Sequence, residues 1–326
     1  MKCYYIESVN GKTVFTPREV PKPEPKAGEI LVRVRAASLN RGEILASISL
    51  HKVHEPHPAG GDCAGEVEAV GEGVTTFKPG DHVLGRARGS FAEYVIMSAA
   101  QGTMKPQRLT WEQAAAVPIV SVTAYEAICQ YGKLKAGETL LVAGAASGVG
   151  MIAVQAGKYL GAKVIGISRS KDKLDKLKAI GLDVGIVASG GGFADKVLEA
   201  TGGKGVNLSV NLIGGSVFPD LVRSAANQGR IAIIGYVDDQ HHAEIDLETV
   251  HGKRLQIFGV SNALLPAPQR AEAMRGFARD LLPGFAEGRI TPVIDKVFPF
   301  DQLPAAKAYV ETNAQLGKVV VRMPRP

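Results

Sequence analysis

Two glycines near the middle of the chain have the spacing of a nucleotide-binding turn. Residues 139–143 are apolar and suit a buried strand, and Gly148-x-Gly150-x-x-Ala153 follows where helical periodicity begins. Glycines in such a turn let the backbone approach a pyrophosphate, and the helix N-terminus supplies N–H donors and a positive dipole. A second strand-like run, 162–168, begins where a strand–helix–strand unit of about 30 residues would place it. The pattern predicts a dinucleotide site rather than an ordinary glycine-rich turn.

The end of the second run favours one dinucleotide over the other. Enzymes that use NAD place an Asp or Glu about 20 residues past the glycines to bind the ribose 2′-hydroxyl, whereas a 2′-phosphate calls for cations and small donors. Here the run ends at Ser168 and Arg169. The first acidic residue after it is Asp172, which Lys173 follows directly. We therefore predict NADPH, with Ser168, Arg169 and Lys173 at its 2′-phosphate. The alternative is that Arg169 and the nearby Lys171 only solvate the start of a helix.

The composition is that of an ordinary globular chain. A length of 326 residues exceeds the usual size of one core and predicts two domains. The net charge of +6 is spread without basic runs between aromatic residues, so we expect no nucleic-acid groove. Three widely spaced cysteines predict neither a disulfide framework nor a cysteine zinc site, and they favour a reduced, cytoplasmic protein. The most apolar stretch, 114–128, is too short and too interrupted to span a membrane.

Hydrophobic periodicity changes near residue 120. Before it, alternating runs at 30–35, 66–70 and 91–96 are separated by glycine and proline turns, which favours an antiparallel barrel or sandwich. After it, strands alternate with helical segments, which favours a parallel doubly wound sheet. The strands predicted there lie near residues 139, 163, 184, 207, 230 and 255. In the last part of the chain, the same periodicity predicts a helix at 269–287, a strand at 290–298, a helix at 304–312 and a strand at 318–322.

Several separate segments, in one order, carry a family resemblance: 58–74, 77–83, 89–95, 114–118, 123–125, the glycine turn and 229–235. Over nearly its whole length the chain resembles the medium-chain dehydrogenase/reductase superfamily, and within it the zinc-independent quinone oxidoreductases of zeta-crystallin type. The resemblance implies an α/β fold class in which a GroES-like β-barrel catalytic domain, residues 1–119 and 263–326, flanks a Rossmann NADPH-binding domain, residues 120–262. It also implies an active site in the cleft between them and a homodimer paired through the edge strand at about 255–260.

The resemblance adds residues along the cofactor path. The family's turn usually reads A-x-x-G-x-x-G, and this chain has Ser147 where a glycine is common. A small side chain still fits there, and its hydroxyl can donate to phosphate. The residues expected at the cofactor, besides the three at the 2′-phosphate, are Thr123, Gly144, Ala145, Ser147, Gly148, Val149, Gly150, Leu212, Ile213, Gly235 and Tyr236.

The resemblance also bears on metal. Alcohol dehydrogenases of the superfamily hold a catalytic zinc with two cysteines and a histidine. The positions that resemble those ligands are Asn40, Gly61 and Ile119, and none supplies a thiolate or an imidazole. We therefore expect no zinc. His51, His54 and His57 have a spacing that suggests metal, but they lie among prolines, and we favour a solvated loop over a metal site.

Without a metal, the most accessible chemistry is hydride transfer to a quinone or an α,β-unsaturated carbonyl, because the incoming charge delocalises onto oxygen. By resemblance Asn40 is the candidate donor to that oxygen; the alternative is a turn residue at a strand end. No general acid is evident, although Glu43 lies in the same loop and can relay a proton from solvent or simply be a surface carboxylate.

Two other functions stay open. One is reduction of an enoyl thioester. Related enzymes carry a tyrosine in the region that matches positions 40–60, and this chain has none there, which argues against this function. The other is a non-catalytic NADPH-binding protein of the crystallin or RNA-binding kind.

Overall fold

The structure is a computed structural model that describes residues 1–10, 12–44, 55–261 and 265–324. The chain divides into two compact units. The first unit comprises Met1–Val120, Ala263–Gly288 and Pro292–Pro326, and the second comprises Ser121–Asn262 and Arg289–Thr291.

The strands follow one another along the chain as β1 Lys2–Val9, β2 Lys12–Glu19, β3 Glu29–Ser38, β4 His57–Pro58, β5 Asp62–Val70, β6 His82–Arg86, β7 Tyr94–Ser98, β8 Gly102–Met104, β9 Thr139–Ala143, β10 Lys163–Ser168, β11 Val184–Val187, β12 Val206–Asn211, β13 Ala225–Ile233, β14 Gln256–Gly259, β15 Ile294–Pro299 and β16 Lys318–Arg322.

The α-helices are α1 Arg41–Ile44, α2 Trp111–Ala115, α3 Pro118–Tyr125, α4 Gly148–Tyr159, α5 Lys171–Lys178, α6 Ala194–Ala200, α7 Phe218–Arg223, α8 Leu247–Gly252, α9 Ala267–Asp280, α10 Leu282–Glu287 and α11 Leu303–Glu311. None of the helices in the described ranges has the length and apolar character needed to cross a bilayer.

The strands of the first unit pair antiparallel, except that β15 and β16 are parallel. Its main sheet runs β15-β16-β3-β5-β6-β8, with β7 also paired to β3, and a smaller sheet runs β2-β1-β4. Alternate residues of β3, including Ile30, Val32 and Val34, enter a common core with Phe91 and Val321. The C-terminal β16 pairs with β3 near its end, so the last strand of the chain completes a sheet formed mainly by the first 104 residues.

The second unit is a parallel sheet flanked by helices. In the described residues its strands run in the order β11-β10-β9-β12-β13-β14, with all neighbouring pairs parallel. This is the order of a doubly wound dinucleotide-binding fold, in which ligands bind at the carboxyl ends of the strands where the order reverses, here between β9 and β12. The predicted fold class is confirmed, and all six strands lie where periodicity placed them.

Three element boundaries differ from the prediction. The helix expected at 269–287 is divided into α9 and α10, because Pro283 has no N–H to continue the helical hydrogen bonds. The strand expected at 290–298 begins only at Ile294, after Pro292, which likewise lacks a donor. The strand expected at 91–96 begins at Tyr94, although Ala92 forms an isolated bridge to Cys3.

Candidate active site

The glycine turn joins β9 to α4 and has the backbone geometry that only glycine tolerates. Gly144 has a φ of +92°, in the region that L side chains rarely adopt. A Cβ on Gly150 would overlap the carbonyl oxygen of Gly144 and lie 2.9 Å from Cα of Ala145. The start of α4 therefore packs against the turn through backbone atoms, which is the close approach that glycines allow in a dinucleotide-binding turn.

The start of α4 presents backbone hydrogen-bond donors at the glycine turn. Ser147 is the N-cap residue, and its Oγ accepts a hydrogen bond from the N–H of Gly150 at 3.1 Å. The N–H groups of Gly148 and Val149 have no partner among the described residues. Two unpartnered donors at the positive end of a helix dipole suit an anion. The N–H of Ala145, by contrast, already donates to the carbonyl oxygen of Ile167.

The end of β12 supplies a second wall. A Cβ on Gly144 would meet Cβ of Leu212 at 3.1 Å and Cγ1 of Ile213 at 3.6 Å, so the structure brings these three predicted residues together. Gly235 lies beside them, since its N–H is 3.4 Å from the carbonyl oxygen of Asn211. Because β9, β12 and β13 are parallel neighbours, their carboxyl ends meet at one edge.

Asn211 organises this edge, and the sequence analysis did not single it out. Its side chain is 1% exposed; Oδ1 accepts from the N–H groups of Ile213 and Gly214 at 3.0 Å, and Nδ2 donates to the carbonyl oxygen of Gly214 at 2.9 Å. The Asx-type bonds bend the chain sharply after the strand. An asparagine directly before Leu-Ile-Gly-Gly is the sequence signal that would have found it.

Of the residues predicted at the 2′-phosphate, Ser168 ends β10, Arg169 follows it, and Lys173 lies in the first turn of α5. Ser168 is partly exposed and its Oγ accepts from the N–H of Ser170 at 3.3 Å, while Ser170 caps α5 by accepting from the N–H of Lys173 at 3.2 Å. The side chain of Arg169 is exposed and makes no ion pair or hydrogen bond in the described part of the chain. Lys171 pairs instead with Asp175, at 2.6 Å.

Thr123 and Tyr236, also predicted at the cofactor, differ in exposure. Thr123 lies in α3 and is 7% exposed. Tyr236 is 36% exposed, and its ring lies against that of His241 with the centroids 4.9 Å apart. Both residues belong to the second unit, together with the glycine turn.

The first unit contains a buried polar cluster, which we call the Asp62 cluster: Ser38, Asn40, Asp62, Ile119 and Lys318. Asp62 is fully buried; its Oδ1 accepts from Ser38 Oγ at 2.7 Å and from Asn40 Nδ2 at 3.1 Å, and its Oδ2 accepts from the N–H of Ile119 at 3.3 Å. Lys318, 6% exposed, donates from Nζ to Asn40 Oδ1 at 2.5 Å and to the carbonyl oxygen of Leu39 at 2.8 Å.

The strands of the main sheet explain how this cluster assembles. Ser38 ends β3, Asp62 begins β5 and Lys318 begins β16, and β3 pairs with both other strands. Burial raises the pKa of Asp62, while the nearby ammonium of Lys318 and the three hydrogen bonds act in the opposite direction. Asp62 and Lys318 were not predicted as site residues. Their signal was a charged residue at the start of a strand, followed directly by three small or apolar residues.

The three positions that resemble zinc ligands lie in the Asp62 cluster or directly beside it. Asn40 and the N–H of Ile119 bind the carboxylate of Asp62, and Gly61 directly precedes it. The donor set does not fit zinc, because it contains no thiolate or imidazole and a lysine ammonium lies 2.5 Å from Asn40 Oδ1. Among the residues that the structure describes, no group of three or more His, Cys, Asp or Glu side chains could hold a metal ion.

The loop predicted as solvated lies largely outside the described residues. His51 and His54 are not described, nor is the side chain of Glu43. His57 belongs to β4 and pairs with Ile6 of β1, so this end of the loop is part of a sheet.

Family models match both parts of the chain. Residues 26–107 match the alcohol dehydrogenase GroES-like domain, and residues 148–277 match the family described as zinc-binding dehydrogenase. These two matches correspond to the catalytic and the dinucleotide-binding parts of the predicted architecture.

Curated relatives point to reductases. The chain is 28% identical over 310 residues to a quinone oxidoreductase of Rattus norvegicus, covering 93% of this chain and 92% of that protein. It is 27% identical over 339 residues to an acryloyl-coenzyme A reductase of Metallosphaera sedula, covering 95% and 97%. It also matches polyketide synthase proteins, but it spans 14% or less of their length.

Solved structures share the fold. A mycobacterial protein complexed with NADPH superposes with a TM-score of 0.87 at 26% identity, covering 99% of each chain. Together with the two family models and the quinone oxidoreductase similarity, this likeness establishes that the chain belongs to the medium-chain dehydrogenase/reductase family and is similar to its quinone oxidoreductases.

Proposed function

We propose that the chain is an NADPH-dependent reductase of quinones or α,β-unsaturated carbonyls that works without zinc. The observation that carries the proposal is the Asp62 cluster, in which an asparagine amide bound by a buried lysine and aspartate stands where a metal ligand would be expected. Family membership supports the oxidoreductase class. The similarity to a quinone oxidoreductase along 93% of the chain supports the substrate class.

The end of β10 supports NADPH rather than NADH. Ser168 and Arg169 present a hydroxyl and an exposed guanidinium at this position, and no carboxylate stands between the strand and α5 to accept from a free 2′-hydroxyl. A guanidinium binds a phosphate through two parallel N–H donors. The mycobacterial relative that was solved with NADPH agrees with this choice.

The residues present fit the cofactor and assign it a simple role. NADPH supplies the hydride when bound. The N–H groups of Gly148 and Val149, which have no partner among the described residues, would hold its pyrophosphate at the start of α4. Asn40 donates a hydrogen bond to the substrate oxygen that gains negative charge as the hydride arrives, and this donation lowers the barrier because the charge exists mainly in the transition state.

Zinc chemistry does not suit the donor set. A divalent cation beside Asn40 would lie next to the Lys318 ammonium, and the repulsion of two cations in a buried site is not offset by a thiolate. We therefore expect the purified protein to lack stoichiometric zinc and to keep its activity after treatment with a strong chelator. One tightly held zinc per chain, with activity lost on its removal, would overturn this part of the proposal.

The main test is a substrate panel. NADPH oxidation is measured with 1,2- and 1,4-quinones, alkenals and enoyl thioesters. NADP⁺ reduction is measured with simple alcohols. Quinones and enones should react orders of magnitude faster than the alcohols. Asn40→Ala should lower turnover by about one to three powers of ten. Efficient alcohol oxidation would contradict the reaction class, and an unchanged rate in Asn40→Ala would leave Asn40 a structural residue only.

The second candidate is an enoyl thioester reductase, favoured by the similarity to an acryloyl-coenzyme A reductase along 97% of that protein. The absence of tyrosine from positions 40–60 counts against it. The same panel distinguishes the two, because the better substrate class is read from kcat/KM directly.

We further propose a homodimer paired through β14 and a reducing, cytoplasmic location. β14 is the edge strand of the described parallel sheet, and all three cysteines are free thiols, Cys3 and Cys63 of them buried.

A further inference from the structure

Asn40 lies between two buried charges of opposite sign. The Lys318 ammonium donates a hydrogen bond to the Asn40 amide oxygen, and the Asn40 amide nitrogen donates one to the Asp62 carboxylate. Asp62 is 0% exposed and Lys318 is 6% exposed. Each group is bound by further partners: Lys318 by the Leu39 carbonyl, and Asp62 by the Ser38 hydroxyl.

The chemistry of these neighbours determines the orientation of the amide. An ammonium group can only donate and an ionised carboxylate can only accept, so the Asn40 oxygen must face Lys318 and its nitrogen must face Asp62. The flipped amide would place oxygen against carboxylate and N–H against ammonium. Both contacts would be repulsive in a site from which water is excluded.

The same neighbours polarise the amide. A cation on the amide oxygen and an anion on one N–H both favour electron flow from nitrogen to oxygen, and hydrogen-bond chains in a low-dielectric interior strengthen one another. The ammonium group on the amide oxygen makes the amide N–H groups stronger donors. Removing both charges from water costs free energy. Buried charges of this kind can serve to hold a polar group in one geometry.

We propose that Lys318 and Asp62 are positioning residues that hold the Asn40 amide in one orientation and strengthen it as a donor to the reacting substrate oxygen. This inference rests on the proposed reductase function. It assigns to the last strand of the first unit, β16, a part in catalysis that acts through Asn40, without contact between Lys318 and the substrate.

The kinetic test compares Lys318→Met with a matched control, Lys105→Met. Lys105 is a half-buried lysine of the first unit, and its Nζ donates to the carbonyl oxygens of Pro106 and Leu109 at 3.1 and 2.6 Å, so it shares the bonds to carbonyl oxygens but not the bond to Asn40. Lys318→Met should lower kcat by roughly ten- to a hundredfold with KM for the quinone and Kd for NADPH changed by less than about twofold, because the interaction is used in the transition state. Lys105→Met should keep its kcat.

A second variant separates positioning from folding. Lys318→Met leaves Asp62 buried without its counter-charge and can therefore unfold the chain, whereas Lys318→Met/Asp62→Asn removes both charges at nearly constant shape. The double variant should regain the thermal stability and the NADPH affinity of the wild type but keep the low kcat. Wild-type kcat in either folded variant, or an equal loss in Lys105→Met, would overturn the proposal.

A spectroscopic readout does not depend on turnover. The side-chain ¹⁵N–¹H signals of Asn40, assigned by their loss in Asn40→Asp, should move in Lys318→Met and in Asp62→Asn and stay in place in Lys105→Met. If the signals move as expected but no quinone or enone is reduced by the wild type, the proposed function fails while the positioning geometry stands. If the substrates are reduced and neither the signals nor kcat responds to Lys318→Met, the inference fails alone.

Discussion

At the scale of single residues, the proposed preference for NADPH over NADH depends on the side chains that follow β10. Arg169 is exposed and makes no hydrogen bond or ion pair with the described residues, so its guanidinium is available for a ligand. Lys171, two residues further, has the same charge but pairs with Asp175. The two cations therefore form a matched pair for testing a specific phosphate contact against a general electrostatic effect.

We expect Arg169→Ala to weaken NADPH binding about ten- to a hundredfold and to leave NADH binding nearly unchanged, because a charge-assisted hydrogen bond to phosphate contributes about 1.5–3 kcal/mol. Ser168→Asp should reduce the preference further, since a carboxylate repels the 2′-phosphate and accepts from a 2′-hydroxyl. Fluorescence titration at one ionic strength measures both cofactors. Lys171→Ala is the control and should bind NADPH like the wild type.

Two results would contradict this assignment. Equal wild-type affinities for NADPH and NADH would remove the predicted preference altogether. A strong preference that survives Arg169→Ala would place the phosphate contact elsewhere, and Arg169 would then only solvate the start of α5.

At the scale of elements, the β9–α4 turn and the sheet that carries it depend on a few close contacts. Gly150 packs against the backbone of Gly144, which leaves no space for a Cβ. Gly252, at the end of α8, has no atom within 4 Å of where its Cβ would be. The same substitution at these two glycines should therefore have opposite consequences.

Gly150→Ala should force the turn to open, because a new Cβ overlaps a backbone oxygen that cannot rotate away. We expect a loss of about 1–3 kcal/mol in the free energy of unfolding and a loss of at least about tenfold in affinity for both NADPH and NADH. Gly252→Ala should change neither by more than a small amount. Denaturant titration and cofactor titration measure the two effects, and a Gly150→Ala variant that binds normally would show that the turn is not the pyrophosphate site.

The ion pair between Glu138 and Arg230 links the loop before β9 to β13. Arg230 donates to both carboxylate oxygens, at 3.0 and 2.6 Å, and the two side chains are 18% and 14% exposed. Burial alone would raise the pKa of Glu138, but the hydrogen bonds from Arg230 and from the N–H of Lys135 outweigh it and lower the pKa. The ionised form is therefore the one that the folded state favours.

Since the folded-state pKa of Glu138 is lowered, its contribution to stability is present above the pKa of the unfolded chain and is lost as the pH falls through the folded-state pKa. Glu138→Gln should cost about 1–3 kcal/mol at neutral pH, and the difference from the wild type should shrink under acid conditions. Urea unfolding at neutral and acid pH tests this. Asp175→Asn, in a fully exposed ion pair, is the control and should change little. A Glu138→Gln deficit that is constant with pH would contradict the electrostatic explanation.

At the scale of the whole molecule, β14 is the feature most suited to self-association. It ends the parallel sheet, pairs with β13 on one side, and carries Ile257 at 37% exposure. An edge strand presents backbone donors and acceptors, and most homo-oligomers close such surfaces around a two-fold axis.

We expect sedimentation velocity to give a dimer for the wild type and a shift toward monomer for Ile257→Lys, because a two-fold axis brings the introduced charges close together. Val187→Lys is the control, since Val187 is an exposed apolar residue, 45% exposed, on β11 at the opposite edge of the same sheet. A wild-type monomer, or an equal effect of both substitutions, would contradict pairing through β14.

The sequence alone determined the parts of this protein that depend on short stretches of chain. Apolar periodicity located the six parallel strands, and the spacing of Gly148 and Gly150 located the turn between β9 and α4, because both are set by neighbouring residues. The sequence also shows directly that no acidic residue lies between Ser168 and Asp172 to bind a ribose 2′-hydroxyl. The misplaced boundaries, at Pro283 and Pro292, lie where one missing N–H outweighed a longer apolar pattern.

Only the tertiary structure determined how the polar groups are paired. Asn40 could be named as a candidate, but its partners are 22 and 278 positions away, at the starts of β5 and β16, and no local pattern connects them. Sheet pairing brings Asp62 and Lys318 into one buried site, and burial makes their charges matter, since a charge removed from water must be matched by nearby partners. Asn211 differs, because its side chain bonds Ile213 and Gly214, two and three residues away, and the sequence around it carried that signal.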